Sequence, residues 1–240
     1  MNQETLRKLN ELKLFGMTAK LQELSANPKS SQHNTEEVLA LLVDAEYNHR
    51  KNKRVTRLLQ NARIKLSMAC LEDVAYSAKR NLKKDQFRDL CSCDFLKNNQ
   101  NVLISGPTGT GKTYLACALA NLACRNGYPT IYTRITRLLE QYKTDRLTGN
   151  QLKTLDKLGK TKLLILDDLG PDIFSKEERS ILFEIIEDRY LAASTIITSQ
   201  LPFDQWYHLF EDSTTADAIC DRLFHNAHTI NIQGDSMRKK

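Results

Sequence analysis

A glycine-rich stretch at residues 105–114, SGPTGTGKTY, follows the apolar run NVLIS and precedes a segment whose apolar residues repeat with helical spacing. It satisfies G-x-x-x-x-G-K-[ST], the spacing in which glycines let backbone N–H groups turn inward around phosphate oxygens. The amino end of the following helix adds positive potential at the same place. We therefore predict a strand, a nucleotide-binding loop and a helix in succession. The predicted loop residues are Gly106, Pro107, Thr108, Gly109, Thr110, Gly111, Lys112 and Thr113.

Further along the chain, the apolar run LLIL leads into Asp167 and Asp168. In an open α/β sheet, ligands bind beyond the carboxyl ends of the strands. We predict that Lys112 reaches the β- and γ-phosphates of ATP, and that Thr113 and Asp167 hold Mg²⁺, Asp167 directly or through water. Asp168 is predicted to orient the attacking water or to accept its proton. The alternative is an acidic strand end that only caps the following loop.

From residue 101 onward, short apolar runs alternate with segments of helical periodicity. Strands that alternate with helices form a parallel sheet covered on both faces, so the sequence predicts an α/β core with a five-stranded parallel sheet. Ser175 is predicted to cap the third helix of this core. The predicted strands are 101–105, 130–135, 162–168, 194–200 and 228–232, and the predicted helices are 112–127, 137–147, 175–193 and 215–225.

The first part of the chain is predicted to be helical. Apolar residues recur at roughly helical spacing over residues 4–24, and Gly16 interrupts the pattern, so two short helices fit as well as one. Asn34 and Glu37 have the spacing of a capping box, which predicts a long helix running to about residue 65. We expect a small helical domain at 1–67 and the α/β domain at 68–240.

The net charge of +6 is unevenly distributed. Residues 1–100 hold 18 Lys and Arg against 12 Asp and Glu, whereas residues 101–240 hold 17 of each. No acidic residue lies between Glu46 and Glu72, while seven basic residues do. A cationic helix face there is predicted to bind duplex DNA with little sequence preference, and a solvated charged face is the alternative. The predicted DNA contacts are Arg50, Lys51, Lys53, Arg54 and Arg57, opposite an apolar face of Val55, Leu58, Leu59, Ala62 and Leu66.

The composition argues against several classes of protein. The chain opens on MNQETLRKLN without an apolar h-region, and its apolar runs are far shorter than a membrane span. Its six cysteines include no CxxC pair, which argues against a zinc site and against a redox motif. We expect a cytoplasmic protein with reduced thiols and no membrane partner.

Hydrolysis of ATP also requires positive charge opposite the transferred phosphoryl group. Arg222, in the segment ICDRL, lies on the last predicted helix and is the candidate for that charge. It would act either within the chain or toward a neighbouring subunit, and a solvated helix arginine is the alternative.

The motifs GPTGTGKT, LLILDD, ITSQ and CDRL, in this order, resemble those of the AAA+ ATPases over about residues 68–240. The resemblance implies a homo-oligomer, because the arginine finger of this family serves the ATP of a neighbouring subunit. It assigns Lys112 and Thr113 to Walker A, Asp167 and Asp168 to Walker B, Gln200 to sensor 1, and Arg222 to the arginine finger.

Two positions depart from the AAA+ pattern. Most members of the family have glutamate at the position of Asp168 and commonly asparagine at that of Gln200. Either change could slow hydrolysis while leaving ATP binding intact. The sequence also leaves no room for the usual helical lid after the fifth strand. Arg238 fits either a remnant of sensor-2 chemistry or a basic frayed tail.

A core without a lid, preceded by a helical segment, resembles the branch that contains DnaC-type helicase loaders and IstB-type insertion-sequence transposition helpers. The segments LNELKLFGMTAKL and DRLFHNAHTINIQGDSMRKK look closest to the IstB type. That resemblance implies an ATPase, dependent on ATP and Mg²⁺, that assembles on DNA and recruits and stimulates a partner transposase.

Three other functions stay open at the level of the sequence. A replicative helicase loader of the DnaC type differs from the leading hypothesis only in its partner. A small-molecule P-loop kinase would need an acceptor pocket and usually an arginine-rich lid, and the sequence indicates neither. A nucleotide switch without hydrolysis is compatible with the shorter acid at Asp168.

Overall fold

The computed structural model of the protein describes residues 3–27, 34–77, 80–82, 84–170 and 172–237. The chain forms two compact units, residues 1–57 and 58–240. The domain boundary predicted after residue 67 stays a prediction.

The first unit is helical, with α1 at Gln3–Glu11, α2 at Phe15–Ala26 and α3 at Thr35–Ala62, the last of which continues into the second unit. The two short helices allowed by the sequence are present, but the break between them precedes Gly16 and is not made by it. Gly16 lies inside α2. A Cβ at this position would come within 2.5 Å of the Ala45 carbonyl oxygen, which explains why the residue is glycine. The glycine permits a close approach of two helices.

A buried carboxylate fixes this approach. Glu46 is 6% exposed, and its Oε2 accepts from the N–H groups of Gly16 at 2.8 Å and Met17 at 3.2 Å. Its Oε1 accepts from Arg50 Nε at 2.7 Å. Burial opposes ionisation, but these hydrogen bonds outweigh it and hold the pKa of Glu46 below its ordinary value. The carboxylate also sits at the amino end of α2, where the helix dipole favours an anion.

Helix α3 begins with the predicted capping box. The Glu37 N–H donates to Asn34 Oδ1 at 2.8 Å, and the Asn34 N–H donates to the Glu37 carboxylate at 3.0 Å. The helix ends at Ala62, earlier than predicted, and Arg63 has a left-handed backbone with φ of 53°. Leu66, predicted to lie on the apolar face of α3, follows the end of the helix and is 39% exposed, so that prediction is wrong.

The second unit contains the predicted five-stranded parallel sheet, in the order β2-β3-β4-β1-β5. Its strands are β1 Asn101–Ser105, β2 Thr130–Arg134, β3 Leu163–Leu169, β4 Ser194–Ser199 and β5 Ala227–Asn231. The α-helices of this unit that follow α3 are α4 Lys84–Cys91, α5 Asp94–Lys97, α6 Lys112–Arg125, α7 Ile135–Leu147, α8 Gln151–Lys160, α9 Lys176–Arg189 and α10 Ser213–Phe224. A 3₁₀ helix spans Phe203–Leu209. Helix α8 was not predicted, whereas the Ser175 cap of α9 is confirmed as a capping box with Glu178.

Apolar side chains cover both faces of the sheet. Along β1, Val102 and Ile104 pack on the side of α6, whereas Leu103 packs on the side of α7, α9 and α10. Because the central strands are buried on both faces, they read as continuous apolar runs. Parallel strands β3, β4 and β1 lie side by side, so the segments that follow them meet at one edge of the sheet. No α-helix follows β5 within the described residues, which end at 237.

Candidate nucleotide-binding site

The loop after β1 has the backbone that a phosphate-binding loop requires. Gly106, Gly109 and Gly111 all have positive φ, at 150°, 84° and 93°. At Gly106 a Cβ would lie 2.2 Å from the Ile232 carbonyl oxygen, so a side chain there is excluded by both conformation and space. The loop ends where α6 begins, so the positive end of the helix dipole of α6 lies at the loop and favours a bound anion.

The loop lysine is folded into the loop. Lys112 is 8% exposed, and its Nζ donates to the carbonyl oxygens of Gly106 at 2.6 Å and Pro107 at 2.8 Å. The ammonium group therefore lies inside the curve of the loop, where phosphate oxygens would exchange with the carbonyls as its partners. Lys112 thus fits the role predicted for it.

Thr113 and Asp167 form an oxygen pair beneath the loop. The Thr113 hydroxyl donates to Asp167 Oδ1 at 2.9 Å, and the Thr198 hydroxyl donates to the same oxygen at 2.7 Å. Asp167 is 1% exposed. A threonine that donates its proton keeps lone pairs for a cation, and Mg²⁺ prefers such hard oxygen ligands, completed by phosphate and water. The residues present therefore fit Mg²⁺, which would be held by Thr113 and Asp167.

Sequence reasoning missed a further contact of this aspartate. The Tyr132 hydroxyl on β2 donates to Asp167 Oδ2 at 2.5 Å, and Tyr132 is 8% exposed. Burial and the neighbouring carboxylate raise the pKa of Tyr132 well above its ordinary value, so the hydroxyl keeps its proton. The contact depends on the pairing of Tyr132 with Ile165, which puts the tyrosine on the same face of the sheet as Asp167. One sequence does not reveal this register.

The second acid is turned toward the loop by an irregularity in β3. The pairing of β3 with β4 shifts between Leu166 and Leu169, and Asp168 has a left-handed φ of 66°. Consecutive residues of a regular strand point to opposite faces, and this bulge re-aims the second acid. Gln200 Nε2 donates to Asp168 Oδ1 at 3.1 Å, and Gln200 Oε1 accepts from the Thr108 hydroxyl at 2.6 Å. Gln200 therefore bridges the phosphate-binding loop and the second acid.

A cavity of about 190 Å³ lies beside the loop. Its walls are mostly apolar and would accept a flat nucleobase. Arg80 closes one side by donating to the Thr110 carbonyl oxygen at 2.6 Å and to the Ala75 carbonyl oxygen at 2.6 Å. Sequence reasoning assigned nothing to this region. The lining residues are Asp73, Val74, Ala75, Arg80, Leu82, Gly111, Tyr114, Leu115, Ile232 and Met237.

The segment after β5 runs along the loop. The Ile232 N–H donates to the Ser105 carbonyl oxygen at 2.7 Å, and the Met237 N–H donates to the Gly109 carbonyl oxygen at 2.9 Å. Residues 232–237 therefore form one wall of the candidate site. Arg238 lies outside the described residues.

Arg222 is not brought together with these groups. Asn101, the first residue of β1, donates through Nδ2 to the carbonyl oxygens of Arg222 at 3.4 Å and Leu223 at 3.1 Å. Arg222 thus lies at the amino edge of the sheet, whereas Gly106 follows the carboxyl end of β1, roughly 15 Å away along the strand. Its guanidinium pairs with Glu187 and lies 5.2 Å from the ring centroid of Phe183.

The five basic residues predicted to contact DNA are all exposed on α3. Arg50 pairs with buried Glu46, and Lys53 Nζ lies 5.8 Å from the ring centroid of Phe15. Within the described ranges, no group of three or more His, Cys, Asp or Glu side chains could hold a metal ion. Over those same ranges, every helix is too short or too polar to span a membrane.

The chain is a P-loop ATP-binding protein with the AAA+ fold. This class is defined by the phosphate-binding loop, by the two acids near the end of β3 and by the strand order of the sheet. The chain belongs to the family described as IstB-like ATP binding protein, whose model matches residues 7–240. This membership confirms the family resemblance drawn from the motifs.

Individual relatives agree with this assignment. An insertion sequence ATP-binding protein of Sinorhizobium fredii is 40% identical over 235 residues, which covers 98% of this chain and 96% of the relative. The ATP-binding protein of insertion sequence IS1162 from Pseudomonas fluorescens is 43% identical over 202 residues, covering 84% and 87%. Among solved structures, the DnaC helicase loader matches with a TM-score of 0.56 and 21% identity, over 69% of this chain and 97% of that one. The last similarity concerns the fold.

Proposed function

We propose that the protein hydrolyses ATP at the loop after β1. The observation that carries this proposal is the hydrogen-bonded pair of Thr113 and Asp167, placed directly beneath a loop that encloses the Lys112 ammonium. Mg²⁺, when bound with the nucleotide, would neutralise charge on the β- and γ-phosphates. Lys112 would bind the phosphates, and Asp168, held by Gln200, would orient the attacking water or accept its proton.

In this proposal, ATP hydrolysis serves an assembly of the protein on DNA. The protein forms a homo-oligomer on duplex DNA, and there recruits and stimulates the transposase of an insertion sequence. The names of the two relatives, which share 40% and 43% identity with the chain, support the link to insertion sequences. The position of Arg222, remote from its own loop, supports an oligomer in which it reaches the nucleotide of a neighbour. A helicase loader, the alternative, is supported only by likeness of fold.

Lys112→Ala tests the nucleotide site. We expect the affinity for Mg·ATP to fall by about 10- to 100-fold, because a charge-assisted hydrogen bond to phosphate contributes about 1.5–3 kcal/mol. Equilibrium binding of a fluorescent ATP analogue measures the change. Lys97→Ala is the matched control, since Lys97 is an exposed lysine of the same unit that pairs with Asp94. Equal affinity of the Lys112 variant and the native protein would contradict the proposal.

Salt dependence tests the DNA contact. The double change Lys51→Ala and Arg57→Ala is expected to lower the slope of log K against log salt by about 2, since each phosphate contact contributes about 0.9. Both side chains are exposed on α3. Lys97→Ala with Arg146→Ala removes the same charge from exposed positions of the second unit. If both pairs lower the slope equally, the contact is not located on α3. Binding to unrelated duplexes should fall uniformly.

A further inference from the structure

We propose that Glu187 is a positioning residue that acts through Arg222. Its carboxylate holds the arginine on its own subunit until the nucleotide of a neighbouring subunit competes for the guanidinium. This inference rests on the proposed function, in which Arg222 serves the ATP of a neighbour. It adds a residue that controls when the arginine is released.

Three side chains on one side of α9 contact Arg222. Phe183 and Glu187 lie four residues apart on the helix, and Tyr190 follows its last residue, three positions beyond Glu187. The Arg222 Cζ atom lies 5.2 Å from the ring centroid of Phe183 and 6.0 Å from that of Tyr190. The Glu187 carboxylate forms an ion pair with the same guanidinium. An acid and two aromatic rings therefore surround the cation.

Contacts made by α10 itself add to this restraint. Nη1 of Arg222 donates to the carbonyl oxygen of Ala218, one turn earlier in the helix, at 2.8 Å. The Arg222 side chain is 24% exposed, so most of it is covered by its own subunit, whereas the Glu187 side chain is 46% exposed. The guanidinium is therefore docked against α9, and its counter-ion stands at the rim, where a competing anion can approach.

The docked arginine must turn outward to serve a neighbour. Turning outward breaks the ion pair with Glu187 and the contacts with the two rings, and solvent water supplies no opposite charge in exchange. The phosphates of ATP carry more negative charge than one carboxylate and accept several hydrogen bonds from a guanidinium. The ion pair therefore couples the release of Arg222 to the arrival of a neighbour that carries nucleotide.

The size of the restraint follows from its exposure. A partly exposed ion pair contributes little, so its removal is expected to shift the ratio of released to docked arginine by about two- to fivefold. Only a subunit with a released arginine is competent at the interface, and apparent affinity is lowered by the fraction that is competent. The protein concentration that gives half-maximal turnover should therefore fall by the same factor when the ion pair is removed.

The test is Glu187→Gln, which removes the charge and keeps the size of the side chain. ATP turnover is measured across protein concentration with saturating DNA and Mg·ATP. We expect the half-maximal protein concentration to fall by about two- to fivefold and the maximal turnover to stay unchanged. Glu177→Gln is the matched control, because Glu177 is an acid of α9 with 47% exposure whose ion pair is with Arg146. Its half-maximal concentration should equal that of the native protein.

A second background shows whether Glu187 acts through Arg222. The residual turnover of Arg222→Ala, followed with radiolabelled ATP, should be the same with glutamate or glutamine at position 187. A change there overturns the proposal, because Glu187 would then act on another group. A half-maximal concentration that does not fall in Glu187→Gln, or a lower maximal turnover, also overturns it. If Arg222→Ala itself keeps the native turnover, the role of Arg222 in the proposed function is wrong instead.

Discussion

Arg222→Ala is expected to lower the ATP turnover of the assembled protein by about 1000-fold while leaving the affinity for ATP unchanged. The reason is the position of Arg222. It lies at the amino edge of the sheet, where its carbonyl oxygen accepts a hydrogen bond from the side chain of Asn101, the first residue of β1. It does not reach the phosphates bound at the carboxyl edge of its own sheet, so any catalytic charge it supplies goes to a neighbour. Turnover measured across protein concentration, with and without DNA, reports the loss. Arg146→Ala, which breaks a surface ion pair with Glu177, is the matched control.

Mixing two inactive variants separates action on a neighbour from action within the chain. Arg222→Ala subunits keep an intact loop, and Lys112→Ala subunits keep an intact arginine. In a mixed assembly, the arginine of one subunit meets the loop of another, so we expect part of the native turnover to return. A mixture that stays as inactive as its components rules out the proposed role. If Arg222→Ala also abolishes the ATP turnover that the native protein shows as a monomer, the substitution has damaged its own subunit.

Gln200→Asn and Asp168→Glu are each expected to lower turnover by about 100-fold, and the double variant to recover most of it. Gln200 Nε2 donates to Asp168 Oδ1 at 3.1 Å while its Oε1 accepts from Thr108 at 2.6 Å, so the lengths of the two side chains are matched. Asparagine is one methylene too short to hold both partners, and glutamate is one methylene too long. A misplacement of 1 Å at a reacting group can cost about 100-fold in rate.

A double-mutant cycle measures this coupling. In the double variant the shorter amide faces the longer acid, so the distance spanned by the pair is preserved. Single-turnover hydrolysis separates the chemical step from nucleotide binding, which we expect to stay within about twofold of the native value in all three variants. If the losses of the single variants simply add in free energy, the two residues act independently. The departures of Asp168 and Gln200 from the AAA+ pattern would then be unrelated to each other.

The predicted site residues that the structure brings together are those defined by spacing along the chain. The loop motif fixes eight consecutive positions relative to one strand and one helix, so Lys112 and Thr113 followed from a single short stretch. Asp167 and Asp168 followed from an apolar run that ends in acids. The five strands were also found, because a strand buried on both faces leaves a continuous apolar run.

What the sequence does not contain is the pairing of strands and the close approach of helices. Tyr132 contacts Asp167 only because β2 pairs with β3 in one register. Gly16 looks like a helix breaker, but its neighbour Ala45 lies on another helix, distant in sequence. Helix α8 was missed although Leu152, Leu155 and Leu158 recur at helical spacing; Leu155 and Leu158 are buried, whereas Leu152 is 71% exposed.

The segment that follows β5 has a practical meaning for work with this protein. Because the Met237 N–H donates to the Gly109 carbonyl oxygen, a group attached at Met237 would lie beside the phosphate-binding loop. An affinity tag there would compete with nucleotide for space, whereas an environment-sensitive dye attached there would report its arrival. Protein for binding measurements should therefore carry its tag ahead of α1.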